Sequence, residues 1–473
     1  PSPPPHPSHL YWMPLTSILA AGGILLGGAS YSAAQLVFII LSALLAPLSY
    51  WITYHFVPAR WAGWSAGLFA IFSGFYFAFW TAIDNFTPFA LAGALALVFS
   101  WLALKQPGKL TFLYTLLTGG AVGLAHLSRA DGPFLLIAVA LLLAIRLLLN
   151  IGQAKPLFVE MVRFGAVAFL GYLIVMGPWF LRNWQVIDRP LSLAGSQTIW
   201  LETYDDLFSY GKSLTPQTFF QQDFDTIFEG RWWALRLNFQ TVLGAWGMIF
   251  LLPLALIGGW QLRTHLLAQI VGMYGLVLFI TMTLVFAFPG ARGGLFHSGG
   301  AVLPFIYAFA MVGLDRGIDW IAARRRTWDA ALAKRVFAVG LVVMAIGLSS
   351  FVYYGRVLRN GVWNGADRHY SAIASWVDDQ GDSTTTVMIG NPPAYRYHGG
   401  RLSVIIPNED VETTLQVVDQ YGVDYLILDR NHPAPLTDLY QQVETHPRLG
   451  LVKTFAPDSG NEIYVFEIQP DQQ

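Results

Sequence analysis

The chain has 473 residues, no cysteine, 55% hydrophobic and 15% aromatic residues, and only 12% charged residues, about half the roughly 25% of a typical soluble domain. That excludes an ordinary soluble enzyme, and the missing thiols exclude a disulfide framework and a thiolate nucleophile or metal site. A formal net charge of -1 provides no global basic field for nucleic acid, yet it hides a split: from Gly361 onward 6 basic residues stand against 16 acidic ones, a net of -10, which leaves +9 for everything before.

A helix crossing roughly 30 Å of hydrocarbon needs about 20 mostly apolar residues, because every backbone polar group must be paired inside the segment. In chain order, a proline-rich start with His6, His9 and Tyr11 leads into a short apolar stretch, 15–28, that reads as an interfacial or re-entrant helix. Candidate spans follow at 33–53, 61–80, 86–104, 110–127, 132–150, 162–179, 239–260, 266–288, 299–321 and 335–354, about ten on the usual window criterion. The expected organisation is an extracytoplasmic loop end and interfacial helix at 1–32, a transmembrane domain at 33–360 with a large outer loop at 182–238, and an extracytoplasmic α/β domain at 361–473.

Basic residues of the short connections set the orientation. Arg60, Lys105, Lys109, Arg146, Lys155, Arg163, Arg263, the Arg324 to Arg326 run, Lys334 and Arg335 mark the cytoplasmic side, and the alternate loops with Asp84, Arg129, Asp131 and Arg292 face outward. The Phe, Trp and Leu stripes are packing or lipid-facing surface, and say nothing about chemistry.

Polar residues on the outward side do. Asp84, between two apolar spans, is either the cap of the 86–104 helix or a functional carboxylate, since a charge this close to hydrocarbon is costly. Arg129 and Asp131 read either as a local ion pair ending two helices or as a phosphate-binding arginine held by a carboxylate. Arg182, at the outer end of a span, either snorkels to the interface or contacts phosphate. The 182–238 loop brings Trp200 and Tyr204 beside several acids, a composition suited to sugar hydroxyls and C–H faces, or to a lid on the bilayer. His6 and His9, three apart, read as cavity lining, ordinary loop residues or metal ligands.

After Tyr354 the periodicity changes. Helices are expected at 367–380, 408–421 with Asn408 as cap and Glu409, Asp410 and Glu412 in its first turn, and 436–443; strands at 385–389, 402–406, 423–428, 450–455 and 462–468. The stretch 390–400 follows the first strand, where an α/β sheet commonly places a ligand, but carries no phosphate-loop or dinucleotide glycine pattern.

The motifs at 6–15, 84–89, 123–132 and 178–183, in this order on one many-span chain, resemble the polytopic GT-C glycosyltransferases, in particular bacterial relatives of the dolichyl-phosphate-mannose protein mannosyltransferases and the aminoarabinose transferases. The resemblance implies a polytopic α-helical membrane protein with a GT-C-like bundle and a C-terminal soluble α/β domain. It implies a multi-pass cell-membrane transferase that moves a sugar from a polyprenyl-phosphate donor to an extracytoplasmic glycan, lipid or protein acceptor. Asp84 then matches the second acidic position of the family, near a metal or the donor phosphate. The main catalytic acid is expected in a loop before Pro1, as in an N-terminally truncated chain. Arg129 and Arg182 are the donor-phosphate contacts by position and charge, and His6, His9, Tyr11, Trp200 and Tyr204 the candidates for acceptor or sugar. A divalent metal ion at Asp84 is the one cofactor in view. Two rival readings are a transporter or flippase of lipid-linked glycans, for which no internal repeat is seen, and a catalytically silent scaffold.

Overall fold

The computed structural model describes residues 9, 12–105, 108–192, 194–325, 327–359, 367–380, 385–456 and 461–470. His6 and Tyr11 lie outside them. The chain divides into two units, one of Pro1–Ile199 with Gln222–Gly355 and one of Trp200–Gln221 with Arg356–Gln473.

The first unit is helical. It opens with α1 (Leu15–Gly27), α2 (Tyr31–Ala43), α3 (Leu45–Phe56), α4 (Arg60–Ile71), α5 (Phe86–Lys105), α6 (Thr111–Ser128), α7 (Phe134–Leu149) and α8 (Ala154–Ile187). Among the described residues six helices are long and apolar enough to cross a membrane: Tyr31–Phe56, Phe86–Lys105, Ala154–Ile187, Leu266–Val285, Ala287–Ala322 and Ala330–Arg359. Helix α5 is the centre of the bundle, with 14 of its 20 residues buried, whereas α8 buries only 5 of 34 and leaves most of its apolar surface outward. Both have apolar middles, so burial there is set by position in the bundle.

Lipid cannot drive helices together by the hydrophobic effect, and close approach depends on small residues. Gly119 of α6 and Gly171 of α8 each lie against the other helix's backbone, so that a Cβ at either would collide with a carbonyl. Gly258 and Gly313 join the helices Leu252–Gln261 and Leu303–Ala322 in the same way. Three buried hydroxyls are satisfied within their own helices: Ser49, Thr53 and Ser100 donate to the carbonyls four residues earlier at 2.7, 2.7 and 2.8 Å.

Two of the expected spans are not continuous helices. In 61–80 the helix stops at Ile71, because Gly74 takes a left-handed φ of 63° and opens a 3-10 turn; its N–H donates to Ser349 Oγ at 2.9 Å. In 239–260 the chain passes from a π-helical turn, Thr241–Trp246, through Met248 and Ile249 at φ 46° and 64° before Leu252–Gln261 begins with Pro253 in its first turn. Apolar composition marked these stretches as membrane-embedded but said nothing about backbone continuity. Expected spans 110–127 and 132–150 appear as α6 and α7, and 15–28 as the 13-residue α1.

The second unit is a five-stranded mixed sheet in the order β2-β1-β3-β5-β4, with β1 (Val387–Ile389), β2 (Ser403–Ile405), β3 (Tyr425–Leu428), β4 (Leu449–Phe455) and β5 (Ile463–Ile468). The first three strands run parallel, and β5 is antiparallel to both β3 and β4. Side chains alternate across the strands: Val387 and Ile389 pack under the helices Asp367–Gln380 and Pro392–Gly399, and Met388 under Val411–Tyr421. The last of these is capped by Asp410, whose carboxylate accepts from Thr413 N–H at 2.9 Å, and not by Asn408. The expected ligand loop at 390–400 is instead mostly helix, capped by Asn391 and ended by Gly400 at φ 71°.

Part of the long loop belongs to this unit. Asn408 N–H donates to Phe208 O at 2.9 Å, Tyr210 N–H donates to Glu409 Oε1 at 2.9 Å, and the Tyr210 hydroxyl bonds Gln420 Oε1. Lys212 bridges Glu202 at 3.0 Å and Asp206 at 2.9 Å. Burial works against ionisation of Asp206, but the Lys212 ammonium and the Thr203 and Glu202 amides outweigh it and hold its carboxyl below the ordinary value.

Candidate active site

Helix α6 ends at Ser128, Arg129 turns extended, and α7 starts five residues later behind Pro133. The turn is tight because Gly132 lies against the backbone of His126, where a Cβ would collide. Two charged side chains are thereby held at the end of two apolar helices. Arg129 Nε reaches Asp131 Oδ1 at 3.2 Å and Ser298 Oγ at 3.0 Å, Arg129 Nη2 reaches Asp131 Oδ2 at 3.4 Å, and the Ser298 hydroxyl donates to Asp131 Oδ2. Asp131 is only 8% exposed and Arg129 17%. The pair is therefore more than a local helix terminus: Ser298, far away in sequence, fixes both partners, and Ser298 O accepts from the Tyr274 hydroxyl at 3.2 Å. Among the described residues Nη1 of Arg129 makes no hydrogen bond, so one edge of the guanidinium remains available to an anion.

Asp84 joins this end of the bundle. Its Oδ1 accepts from Asn85 N–H at 2.6 Å, and its other oxygen has no hydrogen-bond partner among the described residues. Burial raises its pKa above the ordinary carboxylate value, against the opposing pull of the Asn85 amide and of the Arg129 charge. Asn85 is itself held: its Oδ1 accepts from His297 Nδ1 at 2.6 Å and its carbonyl from Ser128 Oγ at 3.2 Å, while the His297 ring stacks on Phe86 at 3.6 Å. With Nδ1–H committed to Asn85, the neutral imidazole keeps a lone pair on Nε2.

Arg182 sits differently. It stacks on Trp179 at 4.9 Å and donates to Asn183 Oδ1 at 2.9 Å. His9 lies edge-on to the same indole at 6.3 Å and bonds Ser17 Oγ at 2.9 Å; burial, then the Arg182 charge, lowers its pKa. Trp179 packs with Leu127, Leu15 and Met176, which brings the Arg182 end of α8 alongside the Arg129 end of α6. Thus Asp84 and Arg129 come together, and Arg182 and His9 form a neighbouring cluster. Trp200 and Tyr204 belong to the second unit, edge-on to Phe219 and Phe208 respectively.

Sequence reasoning missed Ser298, His297 and Tyr274. The signal for two of them was present: with Arg292, His297 and Ser298 are the polar residues of a glycine-rich stretch joining two outward span ends. As to a metal at Asp84, a divalent ion wants several oxygen or imidazole donors, and no three His, Asp or Glu of the described residues gather to hold one.

No protein-family model and no curated protein matches the sequence. Solved structures do match in fold. The chain superposes on apo ArnT from Cupriavidus metallidurans with a TM-score of 0.53 at 13% identity, covering 96% of this chain and 88% of that one. On ArnT from the same organism bound to undecaprenyl phosphate the TM-score is 0.52 at 14% identity, with the same 96% and 88% coverage. The archaeal oligosaccharyltransferase AglB from Archaeoglobus fulgidus, in complex with an inhibitory peptide and a dolichol-phosphate, gives 0.48 at 13% identity over 88% of this chain and 61% of that one. The chain is a multi-pass membrane protein with the GT-C fold and a small C-terminal mixed sheet. Its fold is similar to that of ArnT over 96% of the chain.

Proposed function

We propose that the chain is an integral-membrane glycosyltransferase that takes a sugar from a polyprenyl-phosphate donor and passes it to a glycan, lipid or protein acceptor on the extracytoplasmic side. The observation that carries this reading is the Asp84–Arg129–Asp131–Ser298 cluster: a carboxylate with a free oxygen next to a guanidinium whose orientation is fixed from behind. The fold shared with a transferase crystallised on undecaprenyl phosphate supports the donor class.

Displacement at an anomeric carbon breaks the bond from that carbon to the phosphate oxygen, which leaves with the electron pair, while the acceptor hydroxyl loses a proton as its oxygen bonds the carbon. Arg129 would receive the leaving phosphate on its Nη1 edge, and Asp84 Oδ2 would take the proton. A raised Asp84 pKa suits a base, because a carboxylate nearer neutrality binds a proton more strongly. Arg182 and His9 would line the approach of the lipid phosphate.

The test is transfer from radiolabelled polyprenyl-phosphate sugars in membranes. Asp84→Asn, at unchanged expression, is expected to lower transfer by about 10²- to 10⁴-fold, the usual worth of a general base. Rates should also fall on acidification with a midpoint above the ordinary carboxylate range, since the base works ionised. Undiminished transfer in the variant would remove Asp84 from the chemistry, and no transfer from any donor would remove the enzymatic reading.

A further inference from the structure

Helix α7 and the helix Leu266–Ile280 enclose a groove of about 430 Å³ away from the candidate active site. Its walls are Leu142, Ile145, Leu149, Gly272, Met273 and Leu276, and its polar elements are Arg146 and Gln269. Arg146 lies twelve residues beyond Phe134, about 18 Å along α7 from the Asp131 turn.

The charge in this groove is unbalanced. Neither helix carries an acidic residue, and Arg146 makes no ion pair among the described residues. Among the described residues its one side-chain hydrogen bond is from Nη2 to Gln269 Oε1 at 2.6 Å. Gln269 Nε2 in turn donates to the backbone carbonyl of Arg263 at 3.1 Å, which fixes the orientation of the Gln269 amide. Gln269 thus orients Arg146 without neutralising it, and Nε and Nη1 remain as donors. A cation at the end of an apolar groove between membrane helices is complementary to a molecule with an anionic head and a hydrocarbon tail.

We propose that this groove holds an anionic glycerophospholipid, with an acyl chain along Leu142, Ile145, Gly272 and Leu276 and its phosphate on Arg146. The site is separate from the donor site at Arg129 and does not depend on the transferase reading.

Native mass spectrometry of the purified full chain tests it, with dioleoyl phosphatidylglycerol and dioleoyl phosphatidylcholine as probes. The wild-type chain should retain phosphatidylglycerol about fivefold more than phosphatidylcholine, as one cation near a headgroup allows. Arg146→Gln should abolish that preference and Arg146→Lys should keep it. Gly272→Leu, at a position whose added Cβ meets nothing within 4 Å, should fill the groove and lower retention of both lipids. Equal retention of the two lipids by the wild type, or an unchanged preference in Arg146→Gln, would overturn the proposal. So would displacement of phosphatidylglycerol by millimolar inorganic phosphate, which would make the site a phosphate site with no need of a lipid tail.

Discussion

The two ends of the membrane bundle hold their charges by different means. At the far end the cations lie on indole faces: Lys105 over Trp101 at 5.1 Å, Arg263 over Trp260 at 4.9 Å and Arg324 over Trp320 at 3.8 Å, with Lys334 bridging Asp315 and Asp319 at 2.7 Å each. At the end where α5 begins, Arg129 is fixed by a nearly buried carboxylate and a buried serine. Trp260 and Trp320 are exposed and Trp101 is buried; a cation on an exposed indole is an interfacial anchor with rotational freedom. One gripped from behind by two hydrogen-bonded partners has a set direction, which is what recognition of an anion requires. Arg182 combines the two, stacked on Trp179 yet beside the Arg129 cluster.

The largest effect expected from breaking this contrast is at Asp131. Asp131→Asn removes the countercharge of a nearly buried arginine, and should cost about 3 kcal/mol or more in unfolding free energy along with nearly all transfer. Thermal unfolding in detergent and the transfer assay read the two consequences separately. Arg182→Gln should be milder, roughly tenfold in transfer with little change in stability, because an interfacial cation–π contact contributes little to folding; a loss as large as that of Asp131→Asn would erase the distinction between the two arginines.

The smallest effect is expected at Lys212, in the second unit. Its partner Asp206 has a lowered pKa, so the stability this pair contributes is present above the ordinary carboxylate pKa and is lost as pH falls through the lowered value. Lys212→Met should reduce the stability of this unit by about 1 kcal/mol at neutral pH and flatten its acid dependence, leaving transfer unchanged. Unfolding of the full chain followed over pH checks this.

Much of the architecture was legible in the sequence, and the reasons are local. The apolar runs at the centre of α5 and α8 are long enough that hydropathy alone marks them, and the strands 387–389 and 425–428 stand out as short β-rich runs between turn residues. The breaks near Gly74 and Met248 were not legible, since they arise where apolar helices meet partners remote in sequence, such as Ser349. The candidate site divides the same way. Asp84, Arg129 and Arg182 stand out because charge is rare in such a chain, but Ser298 is a hydroxyl among many, and it is the residue that turns a neighbouring pair into a fixed device.

The central claim is that Arg129, held by Asp131 and Ser298, is the phosphate contact for a polyprenyl-phosphate donor. The most direct measurement is equilibrium binding of undecaprenyl phosphate to the purified chain, wild type against Arg129→Gln, with unfolding temperature recorded for both. A charge-assisted contact predicts at least a tenfold weaker affinity in the variant at comparable stability. Equal affinities in two folded proteins would contradict the account and return Arg129 to a purely structural role.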